Sequence, residues 1–392
     1  MMRTLAAVLT AHYLAAFTAL GMPVFMPRVL AGLAPGAPDW LSGLLYVLPT
    51  VCTALTATAW GRLADRYGRK LSLMRAQAGL ALGFVLAGCA PSLPWFVLAL
   101  IVQGTCGGSL AAANAYLATQ AQGSSLTRAL DWTQFSARLA MVTAPALLGL
   151  ATGLGLAQTL YAYLAVLPLL ALALTWLLPT DPVATVGATA TPHAGPREHD
   201  NLRELLPLLL VQFLFCFAMV VTFPYFISYS EALGVGNDSH AGLYYSLPHL
   251  VYLVLLPWLR ARSPAPQRPL LIGLGLFSLA CLGHAVLADP AWLAPARVLY
   301  GIGMLLAIGG INRALSAQAG RGGAGRLFGR FDACGKWAGA LGGVAAGALV
   351  HRWGLAMPFV AATLAGAGAL LCAVRLFLFL PSRQPYAPAS DA

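Results

Sequence analysis

The chain has 392 residues, of which 59% are hydrophobic and only 9% are charged, and its formal net charge is +11. A soluble domain carries about 25% charged residues, so this composition excludes a soluble globular protein and indicates one that lipid surrounds. In a membrane protein an excess of Lys and Arg is expected to set the topology, and nucleic-acid binding is not expected.

Long apolar runs recur along the whole chain, beginning with one that follows Arg3 and extends to about Val29. That run is too long for the apolar core of a cleaved signal peptide. Later runs reach or approach the roughly 20 residues that a helix needs to cross the hydrocarbon layer. Spanning segments are helical because they must satisfy their own backbone hydrogen bonds, so we predict an all-α membrane protein of about twelve transmembrane helices. In chain order, helices 1 to 12 are predicted at 5–29, 40–60, 71–90, 94–117, 128–153, 157–178, 204–230, 240–259, 269–288, 292–315, 327–350 and 354–380.

The longest polar stretch, Pro179–Asn201, divides the predicted helices six and six. It holds Pro, Thr, Gly, His and charged residues, a composition that is typical of a flexible linker. We therefore predict an N-terminal six-helix bundle at 1–180, a cytoplasmic linker at 181–201 and a C-terminal six-helix bundle at 202–392.

The two predicted halves also look like repeats of one another. Arg138 in helix 5 and Lys336 in helix 11 are 198 residues apart (336 − 138), and so are Trp60 and Trp258 (258 − 60), which precede basic loops. The same spacing at two distant places indicates a duplication. Two such halves are typical of a transporter whose substrate site lies between them.

Basic residues concentrate in the loops between helices 2 and 3, 8 and 9, and 10 and 11. They are Arg62, Arg66, Arg69, Lys70, Arg260, Arg262, Arg268, Arg321 and Arg326. The alternate loops hold little beyond Arg28, Arg297 and Arg352. The positive-inside rule then places both termini and the linker in the cytoplasm. We expect a monomeric, multi-pass protein of the cell membrane, which is the inner membrane if the source is a Gram-negative bacterium.

Residues 61–70 read Gly-Arg-Leu-Ala-Asp-Arg-Tyr-Gly-Arg-Lys and lie between helices 2 and 3. This segment resembles the signature of the major facilitator superfamily. The matching positions are Gly61, Asp65, Arg66, Gly68, Arg69 and Lys70. The resemblance implies the major facilitator fold, in which two pseudo-symmetric six-helix halves enclose a central site. The helix count, the linker and the basic loops extend the resemblance over the whole chain.

Within this motif, Gly61 and Gly68 permit a tight turn and a close approach of helices. Asp65 is the single acid of the segment. The resemblance implies that Asp65 locks the cytoplasmic gate in the outward-facing state, partly against the start of helix 11, where Gly325 and Arg326 stand. Anions favour helix N-termini. The alternative, a positive-inside loop with an incidental acid, does not account for the glycines.

Three segments bear on the direction of transport. Helix 5 keeps Pro145, Gly149 and Gly153 of the family's exporter motif, although a proline kink with small packing residues explains them equally well. Helix 4 has Leu100 where the pattern of proton antiporters has an arginine, three residues before a Gln-Gly pair at 103–104. Coupling through that arginine is therefore not expected. The amino-acid sequence of helices 3 to 5 resembles that of the family members that export siderophores.

Arg138 and Lys336 lie about ten residues into their helices, where a cation costs about 2.5–3.5 kcal/mol on insertion scales. One interpretation is that they face each other across a cavity and bind an anionic substrate. The other is that acids on the same helices neutralise them. Asp131 and Gln134 share a helix face with Arg138, and Asp332 stands four residues before Lys336. The sequence is compatible with both interpretations.

Further polar side chains complete the candidate site. Substrate-binding candidates besides Arg138, Lys336 and Gln134 are Tyr225, Tyr245, His249, Tyr252 and Arg297, and proton-coupling candidates are His12, Asp131, His249 and Asp332. Imidazole titrates near neutrality, and Tyr245 and Tyr252 flank His249 on one helix face. For each histidine, packing inside the bundle is the alternative. Arg28 and Arg297 are alternatively anchors at the membrane interface.

Together these features predict a secondary active transporter that exports a small polar anionic metabolite, such as a carboxylate siderophore, against a coupling proton. A broad-specificity drug exporter of the same superfamily is the alternative. A polytopic membrane enzyme would need clustered nucleophiles or metal ligands at one membrane face, and the sequence offers none. We therefore predict no enzyme activity, no cofactor and no metal site. The seven cysteines are expected to be packing residues without disulfides.

Overall fold

The computed structural model describes residues 2–121, 123–180, 202–262, 267–318 and 324–379. Within these ranges the protein consists of helices and connecting turns, without a β-strand. Eleven helices are long and apolar enough to cross a membrane, and twelve when a bent pair counts as one span. The prediction of an all-α membrane protein with about twelve transmembrane helices is confirmed. Outside the described part of the chain lie the linker predicted at 181–201, Arg321, and the side chains of Arg260, Arg262 and Arg326, and the surroundings of Gly325 are likewise outside it.

The twelve helices follow the predicted order. Their bounds are Met2–Leu33, Trp40–Tyr67, Arg69–Gly88, Leu93–Gln120, Gly123–Thr152, Thr159–Trp176, Leu202–Val221 with Phe226–Ala232, Asp238–Arg262, Gln267–Val286, Leu293–Gln318, Ala324–Trp353 and Met357–Phe379. Six helices precede the linker and six follow it, while the boundaries of the two bundles stay predictions.

Helix 2 is longer than predicted because it continues through the first part of the 61–70 motif. No proline stands between residue 60, where the prediction ended, and Tyr67, and the single glycine in this interval costs only about 1 kcal/mol relative to alanine. Gly68 ends the helix with a φ of 99°, which glycine adopts without strain. Asp65 therefore stands on the last turn of helix 2. Gly61 lies inside the helix, and among the described residues no atom lies within 4 Å of the place that a Cβ would take there.

Four helices that were predicted as continuous are interrupted, among them helix 6, which has a turn at Ala165. Helix 1 passes through the 3-10 turn Met22–Phe25, in which Pro23 removes a backbone donor. Helix 4 breaks at 107–108, where Gly108 has a φ of 90°. The two parts of helix 7 meet at an angle of 51°. Broken helices are common beside transporter sites, because the free backbone groups there can serve the site.

Successive helices run in alternating directions through the bundle. We call the end that carries residues 61–70 the motif end, and the opposite end, where helices 2 and 8 begin, the distal end. The two halves approach closely at the distal end. A side chain at Gly43 of helix 2 would collide with the Gly343 carbonyl of helix 11, and one at Gly242 of helix 8 with the Pro145 carbonyl of helix 5. Small residues permit such contacts between helices in a membrane.

Candidate functional site

Arg138 of helix 5 reaches from the first half into the second. Its Nη1 donates to Nδ1 of His249 at 3.1 Å and lies 3.8 Å from the Met304 sulfur. The guanidinium carbon stands 4.7 Å from the centre of the Tyr252 ring. Among the described residues, the groups in contact with this guanidinium therefore belong to helices 8 and 10. Arg138 is only partly buried, so the guanidinium stays accessible to another ligand.

His249 is 1% exposed and lies beside the rings of Phe223 and Tyr245, whose centres are 6.4 Å and 6.2 Å away. A guanidinium can only donate hydrogen bonds, so His249 Nδ1 accepts and the proton of the neutral imidazole sits on Nε2. A protonated imidazole has no acceptor at Nδ1 and carries a like charge. Protonation of His249 and its contact with Arg138 therefore exclude each other.

A second charged group lies on helix 11. Lys336 Nζ is 2.7 Å from Asp332 Oδ2, the pair that the four-residue spacing predicts. Their side chains are 37% and 64% exposed, so the pair is accessible. Helix 11 packs against helix 7 next to this pair, since a Cβ atom at Gly335 would stand 3.4 Å from the Cys216 sulfur. Lys336 is bonded to its own helix, whereas Arg138 contacts the opposite half.

Asp131 and Gln134 are exposed on helix 5 and precede Arg138 on the same face, toward the motif end. They extend the polar surface on which Arg138 stands. His12 is instead buried within the first half. Its Nδ1 lies 3.0 Å from the Ser136 hydroxyl, which in turn donates to a backbone carbonyl of helix 1. His12 therefore joins helices 1 and 5, as a packing histidine does.

Three of the remaining candidates lie in the second half, on or beside helix 8. Tyr252 lies against the Arg138 guanidinium. Tyr245 and Arg297 are 0% and 1% exposed, and the guanidinium carbon of Arg297 stands 6.0 Å from the Tyr245 ring centre. Arg297 is therefore a core residue of the second half and not an interfacial anchor.

Tyr225 lies at the distal end, away from Arg138. Its hydroxyl donates to the Asp39 carbonyl and accepts from the Gly43 N–H at 2.9 Å. Both groups belong to the first turn of helix 2 or to the residue before it. Tyr225 thereby ties helix 7 to helix 2, and its hydroxyl is occupied by this contact between the two halves.

The 61–70 motif joins the ends of three helices. Asp65 Oδ1 lies 2.7 Å from Arg69 Nη2, and the carboxylate side chain is 66% exposed. Lys70 Nζ donates to the backbone carbonyls of Trp176 and Leu178 at the end of helix 6. Cations stabilise helix C-termini, where carbonyls lack intrahelical donors. The motif thus holds helices 2, 3 and 6 together while Asp65 stays accessible.

The residues that sequence reasoning missed form an ion cluster between the halves, which we call the distal clamp. Arg28 of helix 1 donates from Nε and Nη2 to the Asp238 carboxylate at 2.7–3.1 Å, and from Nη2 to Glu231 at 2.8 Å. Asp238 begins helix 8 and is 5% exposed. The sequence shows charged residues at the distal ends of helices 1, 7 and 8. It does not show that they pair, because the partners are about 200 residues apart.

Replacing Arg28 with Gln should shift the protein toward states that are open at the distal end. Charged hydrogen bonds contribute about 1.5–3 kcal/mol, so the open-to-closed ratio should rise about ten- to a hundredfold. Ser42 is 4% exposed at the distal end, next to Gly43, whose N–H donates to the Tyr225 hydroxyl of the other half. The alkylation rate of a cysteine introduced there, in a chain whose own cysteines are replaced by serine, measures the opening. Arg352→Gln, which removes another exposed cation at the distal end, is the matched control. Equal rates in the two variants would contradict the clamp.

The chemistry available at the site is charge pairing and proton binding. In the described part of the chain, no group of three His, Cys, Asp or Glu side chains is placed to hold a metal ion. All seven cysteines are free thiols. The titratable and charged side chains that meet between the halves include the Arg138 and Arg28 guanidinium groups, the His249 imidazole, and the Asp238 and Glu231 carboxylates.

Comparison with known proteins bears on the whole bundle. A family model described as Major Facilitator Superfamily matches residues 5–343. The chain is 26% identical over 325 residues, 80% of each chain, to the multi-drug resistance efflux pump PmrA homolog of Lactococcus lactis. It is also 34% identical over 111 residues to the multidrug resistance protein MdtG of Erwinia billingiae, a match that spans 28% of this chain and 27% of that protein.

A similar fold occurs in solved transporter structures. The crystal structure of a D-xylose-proton symporter superposes with a TM-score of 0.79, covering 97% of this chain and 98% of that one, at 14% sequence identity. At this identity the likeness concerns the fold alone, and it extends over both halves.

Proposed function

The chain belongs to the major facilitator superfamily and is a transporter rather than an enzyme, and from this premise we propose that it exports small anionic organic molecules in exchange for protons. The contact between Arg138 and His249 carries the proposal. It joins an accessible cation of the first half to a titratable group of the second half. The other residues of the proposed site are Lys336, Asp332, Gln134 and Tyr252.

In this proposal Arg138 is the anchor for the negative group of the substrate. A carboxylate accepts two parallel hydrogen bonds from a guanidinium, and a cation at this depth is costly without an anion. Neutral His249 orients the Arg138 guanidinium through Nδ1. Such preorganisation raises affinity because the ligand does not have to order the side chain.

Protonation of His249 releases Arg138 from this orientation, so the proton-bound form holds the substrate less well. An exchanger must not carry substrate and proton at the same time, so the two have to bind in mutually exclusive states. Substrate affinity should therefore fall as the pH is lowered. An affinity that rises on acidification would instead mean that proton and anion travel together.

The driving force is tested in proteoliposomes. Uphill transport should collapse when the proton gradient is dissipated, and it should proceed without ATP. His249→Asn keeps an acceptor near the position of Nδ1 but cannot be protonated. This variant should retain substrate exchange between the two sides while losing uphill transport. Transport that persists without any ion gradient, or uphill transport by His249→Asn, would contradict the proposal.

For orientation, we propose that both termini and the motif end face the cytoplasm, because the basic loops lie at that end. The distal end then faces outward, where Arg28, Asp238, Glu231 and Tyr225 join the two halves. The structure would accordingly represent a state that is closed to the outside. Labelling of cysteines introduced at Arg62 and Asp289 from either side of intact cells tests this topology.

Two substrate classes are candidates. A carboxylate siderophore fits a cationic site and the resemblance in helices 3 to 5, whereas the similarity to multidrug resistance proteins favours a broad range of drugs. Metabolite profiling of medium from cells with and without the gene, in iron-poor and iron-rich conditions, separates them. A single iron-regulated compound that disappears from the medium supports the first class. Sensitivity to several unrelated drugs without such a loss supports the second.

A further inference from the structure

We infer that Arg297 is a positioning residue: its guanidinium replaces the backbone hydrogen bond that Pro248 removes from helix 8, and it thereby places His249 for the contact with Arg138. This inference rests on the proposed function of the Arg138–His249 contact. Arg297 belongs to helix 10, and neither its own sequence context nor its charge pointed to this role.

The backbone of helix 8 has a defect next to His249. Proline has no N–H, so Pro248 cannot donate to the carbonyl of Tyr244 four residues earlier, and its ring pushes that carbonyl away. In a membrane interior no water is at hand to replace the missing donor. Arg297 Nε donates to the Tyr244 carbonyl at 3.0 Å, and Nη2 donates to the Tyr245 carbonyl at 3.1 Å. The first is the carbonyl that the proline leaves without its helical donor, and the second is the next carbonyl along helix 8.

The charge of Arg297 is otherwise hard to account for. The residue is 1% exposed, and among the described residues it forms no ion pair with an acid. Its guanidinium carbon lies 4.2 Å from the Phe226 ring centre and 4.8 Å from that of Tyr300. Aromatic faces stabilise a cation, but an apolar side chain would fill this place at lower cost. The fork of donors toward two carbonyls is what a guanidinium provides and an apolar residue lacks.

Helix 10 packs along helix 8 at the position of Pro248. One turn after Arg297, Gly301 lets helix 10 approach Pro248 so closely that a Cβ atom there would stand 2.9 Å from the proline Cα. One turn further, Met304 contacts Arg138. Positions 297, 301 and 304 share one helix face. A single face of helix 10 therefore runs from the proline of helix 8 to the proposed substrate anchor.

The test is a rescue experiment on the full-length protein. Arg297→Gln should reduce substrate affinity at least about tenfold and change its pH dependence, because His249 is no longer held in place. Arg297→Lys should keep only part of the substrate affinity, since an ammonium group cannot donate to two carbonyls with the planar geometry of a guanidinium. Adding Pro248→Ala to Arg297→Gln should restore most of the affinity and its pH dependence, because Ala at 248 provides an N–H for the Tyr244 carbonyl.

Pro257 is the other proline inside helix 8 and provides the matched control. Pro257→Ala in the Arg297→Gln background must not rescue. If Arg297→Gln alone fails to fold, the yield of folded protein replaces affinity as the measurement. Adding Pro248→Ala should then restore folded protein, and adding Pro257→Ala should not. Absence of rescue by Pro248→Ala, or equal rescue by both, would overturn the inference and leave Arg297 as a binding group in its own right.

Hydrogen exchange of helix 8 amides separates this inference from the proposed function. The rate of exchange near residues 244–252 should rise in Arg297→Gln. It should return to the level of the unchanged protein when Pro248→Ala is added, whatever the substrate is. If His249→Asn keeps uphill transport while this exchange pattern is found, the coupling proposal fails and the positioning role of Arg297 stands. If exchange is unchanged in Arg297→Gln, the positioning role fails.

Discussion

Replacing Arg138 with Gln should weaken substrate binding about ten- to a hundredfold. The proposal gives this guanidinium charge-assisted hydrogen bonds to an anionic substrate, and bonds of this kind contribute about 1.5–3 kcal/mol. Arg138→Lys should also lose affinity, because an ammonium cannot reproduce the planar fork. The measurement is titration calorimetry of the purified protein with the exported compound that metabolite profiling identifies.

Two double variants separate substrate binding from simple neutralisation of charge. Asp131→Asn with Arg138→Gln removes one acid and one cation from helix 5. Asp332→Asn with Lys336→Gln removes the ion pair of helix 11. Each double variant leaves the net charge of its helix unchanged, so insertion into the membrane should stay normal. If both bind substrate as tightly as the unchanged protein, the two cations only neutralise acids and the binding role is excluded.

Replacing Asp65 with Asn should abolish most transport while the protein still inserts into the membrane. The contact that Asp65 makes here cannot explain such a loss. It is a pair with Arg69 across the turn between helices 2 and 3, with side chains 66% and 36% exposed, and exposed pairs contribute about 0.2–1 kcal/mol. A large effect must therefore come from another conformation. The resemblance of residues 61–70 gives Asp65 the role of a lock that forms when the motif end closes.

The measurement is efflux from cells, normalised to the amount of protein in the membrane. Asp289→Asn removes an exposed acid from the distal end and serves as the matched control with near-normal efflux. Restoration of efflux by Asp65→Glu would support a need for the carboxylate itself. Normal efflux from a well-inserted Asp65→Asn protein would contradict the gating role.

The sequence by itself determined the features that depend on local physics. Each span must satisfy its own backbone and match the bilayer, so hydropathy located the helices without knowledge of their neighbours. The Lys336–Asp332 pair was readable for the same reason, because residues four apart meet on any helix. The breaks in helices 1, 4 and 7 were missed, since hydropathy over a whole span does not register a single proline or glycine.

Only the tertiary structure decided which charged groups meet between helices. Arg138 and His249 are 111 residues apart, Arg28 and Asp238 are 210 apart, and Arg297 reaches a carbonyl 53 residues away. Lipid is as apolar as the side chains that face it, so hydropathy does not tell a helix face that packs from one that faces lipid. Which faces pack, and at what depth, follows from small residues and broken helices acting together. That packing places Arg297, which the sequence offered as a substrate-binding candidate or an interfacial anchor, in the core of the second half beside the backbone of helix 8.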